Sequence, residues 1–278
     1  HRVVAVVADR HSGNVTDFTT FAMMNRLVFP LIILIFSCSL AGAQEFTPKD
    51  FDDFTTMRIG RGEPIYWYCV GEIYEYPSGK LIAKVEGIDT ARVVKAESGP
   101  TKKLQLSRKI FFYRDPAGGQ ILRQWNGKKV EPIAYPYQKI TYELKDGRIR
   151  ATVVQGKQPR VQTIESAGTF HIRRFGSTTI FSTPLFLDLP SYKAYENYDF
   201  FFNPKATGSA GKYQLTWNRR GSLPPFFGGG DSVFQLVSYR VDRYRDLPES
   251  MREALESDGR LWMSPPKDLA EIEELQKP

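Results

Sequence analysis

Along residues 64–244 apolar and aromatic side chains come in short runs, each closed by Gly, Pro, Asn or Asp. Runs of this length, rich in Tyr, Phe, Ile and Val and bounded by turn residues, read as strands. Residues 64–76 (PIYWYCVGEIYEY) form the first, and Pro77-Ser78-Gly79-Lys80 turns the chain back into 81–94. A strand over 104–114 stops at Asp115-Pro116. Residues 120–125 and 128–135 flank Asn126-Gly127, and 140–144 and 148–155 flank Lys145-Asp146-Gly147. Asn-Gly and Asp-Gly accept the positive φ that tight hairpin turns require. Runs at 161–172, 178–186, 195–202, 213–219 and 232–244 bring the set to about eleven strands. Strands joined by tight hairpins pair antiparallel, and a sheet of that many strands curls. The pattern predicts an all-β chain, a closed or strongly curved antiparallel β-barrel with a few short peripheral helices.

Helical signals sit at the margins. Thr47 before Pro48 caps a short helix. Asp246, with Pro248 near the start, caps a second that runs to about Ser257, and Asp268 to Gln276 make a third on the outside. One loop stands apart: RRGSLPPFFGGGDS, residues 219–232, sets Phe226 and Phe227 beside three glycines. The two phenylalanines are expected to fold back over apolar surface, either as a lid on a barrel mouth or as a plug that packs the barrel end.

The most apolar run, LVFPLIILIFSCSLAGAQ at 27–44, follows Met23-Met24-Asn25-Arg26. A spanning helix needs about 20 apolar residues; this run is shorter and holds Pro30. Arg26, the apolar stretch and Ala41-Gly42-Ala43 match the three parts of a secretory signal, with cleavage before Gln44. Residues 23–43 are then a signal peptide, 1–22 translated upstream sequence, and 44–278 a single β-barrel-like domain, exported to the periplasm or outside the cell with no transmembrane segment after cleavage. A buried helix of the fold and a lipoprotein cut before Cys38 are the alternatives.

Charge and cysteine content narrow the classes. Residues 1–43 carry three basic and two acidic side chains, so the full chain's +7 becomes +6. The basic pairs Lys102-Lys103, Lys128-Lys129, Arg173-Arg174 and Arg219-Arg220 are scattered, whereas nucleic-acid binding wants them clustered on one face; no nucleic-acid partner is expected. Cys69 is the one cysteine after cleavage, which excludes a disulfide framework; in its strand context it reads as a small hydrophobe, with a catalytic thiol as the alternative. His171, the one histidine there, reads as a half-buried structural residue. One His and one Cys leave too few ligands for a zinc or non-haem iron centre. Asp50, Asp52 and Asp53 read as helix N-terminal charges, so no metal site is expected. No glycine-rich turn opens a helix within a βαβ unit, so no cofactor is expected either.

The stretches YWYCVGEIYEYPSGKLIAKVEGI (66–88), LSRKIFFYRDPAGGQILRQWNGKKVEPI (106–133), YENYDFFFNP (195–204), TWNRRGSLPPFFGGGDS (216–232) and LPESMREALESDGRLWMSPP (247–266) resemble, in order, the large bacterial and fungal family catalogued as domain of unknown function 1838. The resemblance covers the chain from about Asp52 to its C-terminus. It implies a β-rich, barrel-like fold, often behind a secretion signal, and implies little about chemistry.

The remaining chemistry is carboxylate, arginine and tyrosine on strands. Glu86 interrupts an apolar strand, Glu196 and Asp199 sit among aromatics, and Arg108 shares a face with Leu106 and Ile110. A buried Arg demands an anionic partner. One reading is an internal Arg–Glu pair. The sharper one places Arg108, Glu86 and Glu196 as catalytic groups in a barrel lined by Tyr66, Tyr68, Tyr113 and Trp217, with Phe226 and Phe227 over the ligand. A carboxylate of raised pKa would then move a proton in cofactor-independent lyase, isomerase or hydratase chemistry. The expected partner is an apolar aromatic or lipid-like small molecule; a non-catalytic carrier and an envelope interaction protein with a filled barrel are the competing classes. For the export reading, Ala43→Phe should block processing and leave a membrane-bound precursor. Intact mass of the exported form checks it: a chain starting at Gln44 is expected, and one starting at Cys38 with a lipid's added mass would make it a lipoprotein.

Overall fold

The computed structural model describes residues 45–157, 160–166, 170–189 and 192–277; the signal peptide expected at 23–43 and the segment before it lie outside them. The elements, in chain order, are α1 (Pro48–Ile59), β1 (Ile65–Tyr76), β2 (Leu81–Val93), β3 (Lys102–Arg114), β4 (Gln124–Trp125), β5 (Lys128–Lys129), β6 (Ile133–Lys145), β7 (Arg148–Lys157), β8 (Arg160–Ser166), β9 (His171–Phe175), β10 (Thr178–Leu189), β11 (Tyr192–Phe202), α2 (Gly208–Lys212), β12 (Tyr213–Ser222), β13 (Asp231–Val241), α3 (Glu249–Asp258) and α4 (Leu269–Gln276). Asn126 and Gly127 at φ 49° and 75°, and Asp146 and Gly147 at 51° and 66°, take the left-handed conformations that their hairpins need.

Eleven strands form one antiparallel sheet in the order β8-β7-β6-β3-β2-β1-β13-β12-β11-β10-β9, and β4 and β5 make a separate hairpin. The order is the chain order read as a ring. β13 returns to pair with β1, and among the described residues no ladder joins β8 to β9. The described strands therefore make a strongly curved, mostly antiparallel half-barrel.

The curvature is imposed from inside. β6 and β10 stand seven steps apart in the sheet, about 34 Å if it were flat. Yet the Phe54 ring of α1 lies 5.4 Å from Tyr142 of β6 and 5.5 Å from Phe181 of β10. Phe51, Phe54, Met57 and Ile59 fill one end of the concave side, packed on Trp67, Ile140, Ile149, Phe170 and Phe200. The helix starts on a capping box: Thr47 Oγ1 accepts from the Asp50 amide at 3.1 Å, and the Asp50 carboxylate accepts from the Thr47 amide at 3.0 Å.

Three local expectations need correction. Residues 161–172 are not one strand but β8 and β9, with 167–169 outside the described residues. The expected strands at 128–135 and 140–144 are instead the short β5 and one long strand, β6, which runs through Pro136 on a register shift opposite Ser107 and Lys109; the missing Pro N–H is accommodated by the bulge. Asp246 does not cap α3. Pro248 holds that position without a side-chain bond, and Asp246 instead takes two hydrogen bonds from Arg243, at 2.8 and 2.9 Å. Asp268 does cap α4, accepting from the Glu271 amide at 3.0 Å.

Both α3 and α4 cover the convex side. Met251, Ala254 and Leu255 of α3 pack on Tyr66, Tyr68, Ile88 and Phe112, and Ile272 of α4 packs on Leu106 and Tyr137. No helix among the described residues is long and apolar enough to cross a membrane. Since Phe54 is fully buried and touches both arms of the sheet, Phe54→Ala should cost about 3–5 kcal/mol. Urea unfolding checks this; a loss below about 1 kcal/mol would mean that the curl does not depend on the helix.

Candidate functional site

Strand alternation sorts the candidates into two faces. Gln105, Ser107, Lys109, Phe111 and Tyr113 of β3 point to the concave side, opposite Val93, Ala91, Asp89, Gly87 and Val85 of β2. The series runs from amide and hydroxyl beside α1, through a cation, to aromatic rings at the far end. Gly87 is required there: a β-carbon on it would fall 2.1 Å from the Phe111 ring.

The aromatic end is closed by the loop 223–230. Phe226 and Phe227 lie 5.4 and 5.1 Å from the Tyr113 ring, and Phe227 lies 5.3 Å from Trp125. Gly228, Gly229 and Gly230 follow with φ of 107°, 80° and 90°, a backbone that side-chain-bearing residues rarely adopt.

Behind the loop stands a buried polar set. Glu196 of β11 is the cross-strand partner of Arg219 of β12, and Tyr198 that of Trp217. Glu196 Oε2 accepts from Tyr198 Oη at 2.7 Å and from Trp217 Nε1 at 3.3 Å. Arg219 Nε lies 3.9 Å from Glu196 Oε1; the guanidinium also donates to the Ser222 carbonyl at 2.9 Å and covers the Phe234 ring. Tyr135 of β6 reaches the same space from across the sheet. Burial raises its phenol pKa, Glu196 raises it further and Arg219 opposes. Burial likewise raises Tyr113, against Arg219. Both phenols keep their protons at neutral pH and remain donors.

Below the rings lies a second polar layer. Arg58 of α1 donates to Asp89 Oδ2 at 2.7 Å, and Lys109 Nζ stands 3.9 Å from the same oxygen. Burial opposes the Arg58 charge, but Asp89 and Tyr142 outweigh it and raise its pKa. Ser107, Gln138 and Gln155 form a row, with Gln138 Nε2 donating to Gln155 Oε1 at 2.5 Å. Cys69 accepts from Ser238 Oγ at 2.7 Å. Burial pushes its thiol up to about 12 despite that bond, so it stays a protonated, inert thiol at neutral pH. Asp89 Oδ1, Gln105 Nε2 and Thr183 Oγ1 are buried with no hydrogen-bond partner among the described residues.

Of the site residues expected from the sequence, the fold brings together Glu196, Tyr113, Trp217, Phe226 and Phe227. It does not bring in the others. Arg108 faces the convex side, where Nε donates to the Pro136 carbonyl at 2.9 Å and Nη1 to that of Ser264 at 3.0 Å, and Nη2 pairs with Glu271. It ties the C-terminal segment to the sheet. Glu86 also faces outward: it accepts from Tyr68 Oη at 2.6 Å and from Ser250 Oγ at 3.3 Å, and pairs with Arg114 at 2.5 Å. Tyr66 packs under α3 beside Tyr244. Arg108 and Glu86 are thus not barrel-interior partners of Glu196. His171 is exposed, not half-buried.

Two clefts open elsewhere. One of about 380 Å³ lies between α3 and the strands, lined by Arg114, Arg123, Ser250, Glu253 and Asp258. The other, about 450 Å³, sits at the rim, lined by Phe186, Lys193, Tyr195 and Arg220. Among the described residues no group of three His, Cys, Asp or Glu side chains could hold a metal ion.

The sequence pattern alone does not single out Arg219, Tyr135, Lys109 and Arg58. Arg219 was within reach: it lies two residues after Trp217 and so shares its face. Only Arg220 of that doublet is surface charge, stacked 4.2 Å over Tyr76. Lys109, two before Phe111, follows the same rule. Tyr135 sits before the bulge at Pro136, which breaks the count, and Arg58 needs the helix to be inside.

No curated protein and no solved structure matches this chain. One family model does, over residues 62–276, which is most of the sequence: the chain belongs to the family described as "Protein of unknown function (DUF1838)".

Proposed function

We propose that the protein is an exported small-molecule-binding protein, whose apolar, aromatic or lipid-like ligand lies on the concave face beneath the loop 223–230. One observation carries the reading: Asp89 Oδ1, Gln105 Nε2 and Thr183 Oγ1 are buried and unpartnered among the described residues, on the concave side whose far end is lined with aromatic rings. Buried polar atoms in folded proteins are nearly always satisfied, and small-molecule sites are mostly apolar with a few convergent polar groups. Three such atoms on one face are places where a guest's polar atoms, or water in its absence, complete the bonding. The glycine run after Phe227 supplies the hinge for entry.

Binding fits better than turnover. Oε2 of Glu196 accepts from Tyr198 and Trp217 and Oε1 faces Arg219, so the carboxylate serves as an acceptor within the wall. The envelope reading, a filled barrel acting through its surface, draws support from α1, whose side chains fill one end of the concave face.

Native mass spectrometry of protein purified from its own host should show a bound small molecule, and Phe226→Ala/Phe227→Ala should lose it. Titrating 1-anilinonaphthalene-8-sulfonate should raise its fluorescence with the wild type and less with the double variant. A bare polypeptide mass together with no dye response in the folded protein would sink the binding reading in favour of the filled barrel. Glu196→Gln should bind as the wild type does within about threefold, because the amide oxygen still accepts a hydrogen bond. A variant that binds normally but stops consuming a substrate would convert the protein to an enzyme.

A further inference from the structure

We infer, resting on the binding reading, that the ligand is an apolar monocarboxylate and that Lys109 receives its carboxylate. Charge points there first. On the concave face around Lys109, the described cations are Arg58, Lys109, Arg219 and Arg240, and the described carboxylates are Asp89, Glu196 and Asp242, the last paired with Arg240. Asp89 is committed to Arg58 at 2.7 Å and reaches Lys109 only at 3.9 Å. Lys109 makes no hydrogen bond to a described residue, and its side chain is 17% exposed. It also lies 5.9 Å from the centre of the Phe111 ring. A mostly buried ammonium with half a counter-charge is costly unless an anion completes it.

Position agrees with charge. Along the concave side of β3, Lys109 sits between the rings of Phe111 and Tyr113 toward the loop and the polar side chains of Ser107 and Gln105 toward α1. Tyr135, the cross-strand partner of Lys109, offers a protonated phenol as a second donor. An amphiphile would therefore lie with its apolar body under Phe226 and Phe227 and its head at Lys109. A cationic head is disfavoured at the same place by Lys109 itself. The uncharged amide row of Gln138 and Gln155 would admit a neutral head, which makes the alcohol the proper comparison.

The test uses three probes of equal chain length, dodecanoate, 1-dodecanol and dodecyltrimethylammonium, titrated calorimetrically into wild type, Lys109→Met and Lys109→Arg. Dodecanoate should bind the wild type about tenfold or more tightly than dodecanol, as a charge-assisted hydrogen bond implies, and the ammonium should bind weakest. Lys109→Met should bring dodecanoate to within about twofold of dodecanol while keeping dodecanol binding and without lowering the melting temperature; Lys109→Arg should keep the preference. Equal binding of dodecanoate and dodecanol by the wild type, or a preference that survives in Lys109→Met, overturns the carboxylate assignment and leaves the binding reading standing. Binding of none of the three by the folded wild type removes both.

Discussion

Phe54 touches rings on strands that stand seven steps apart in the sheet, and a sheet that meets one side chain with both its arms has to curl. Much else follows from this contact. The curl makes one face concave, so that β6 and β11, distant along the sheet, present Tyr135 and Glu196 to the same space. It also brings Arg58 inside with its helix. A guanidinium there needs a counter-ion, and Asp89 on β2 supplies it. The plug that shapes the sheet thereby sets the electrostatics of the layer above it, because Asp89 is shared between Arg58 at 2.7 Å and Lys109 at 3.9 Å.

The convex side obeys a different logic. Its buried charges are paired and tied to segments that pack from outside: Arg108 to Glu271 and two carbonyls, Glu86 to Arg114, Tyr68 and Ser250. Each ion pair joins a strand to a neighbouring strand or a covering helix, as a clamp would. Among the described residues the concave side leaves Asp89 Oδ1, Gln105 Nε2 and Thr183 Oγ1 without a hydrogen-bond partner, and the convex side leaves Arg92 Nε and Arg114 Nε.

The hairpins, the antiparallel order and the capping of α1 were legible in the sequence because each is local. Asn126-Gly127, Asp146-Gly147 and Thr47 to Asp50 act within four residues. The candidate site was half legible. Period-2 alternation puts Trp217 and Arg219 on one face, and Phe111 and Tyr113 on another strand's, but it does not say which face is concave. That choice is made by where α1, α3 and α4 dock, a matter of long-range packing. Arg108 and Glu86 were therefore placed on the wrong side of correct strands. The bulge at Pro136 hid Tyr135 by shifting the count by one residue, and a one-residue shift moves a side chain to the other face.

The face assignment also explains why two adjacent basic residues have different fates. Arg219 turns inward, where Glu196 and the Phe234 ring take its charge; Arg220 turns outward and lies over Tyr76. Composition treats them as one cationic doublet, and only the strand separates them. The same holds for charge in general here: a net +7 describes a mildly basic surface, while the part that bears on a ligand is the imbalance among the described charged side chains around Lys109. Lys109 carries that imbalance, and it lies at the boundary where the rings give way to hydroxyl and amide, so charge and polarity both orient a guest along the same axis.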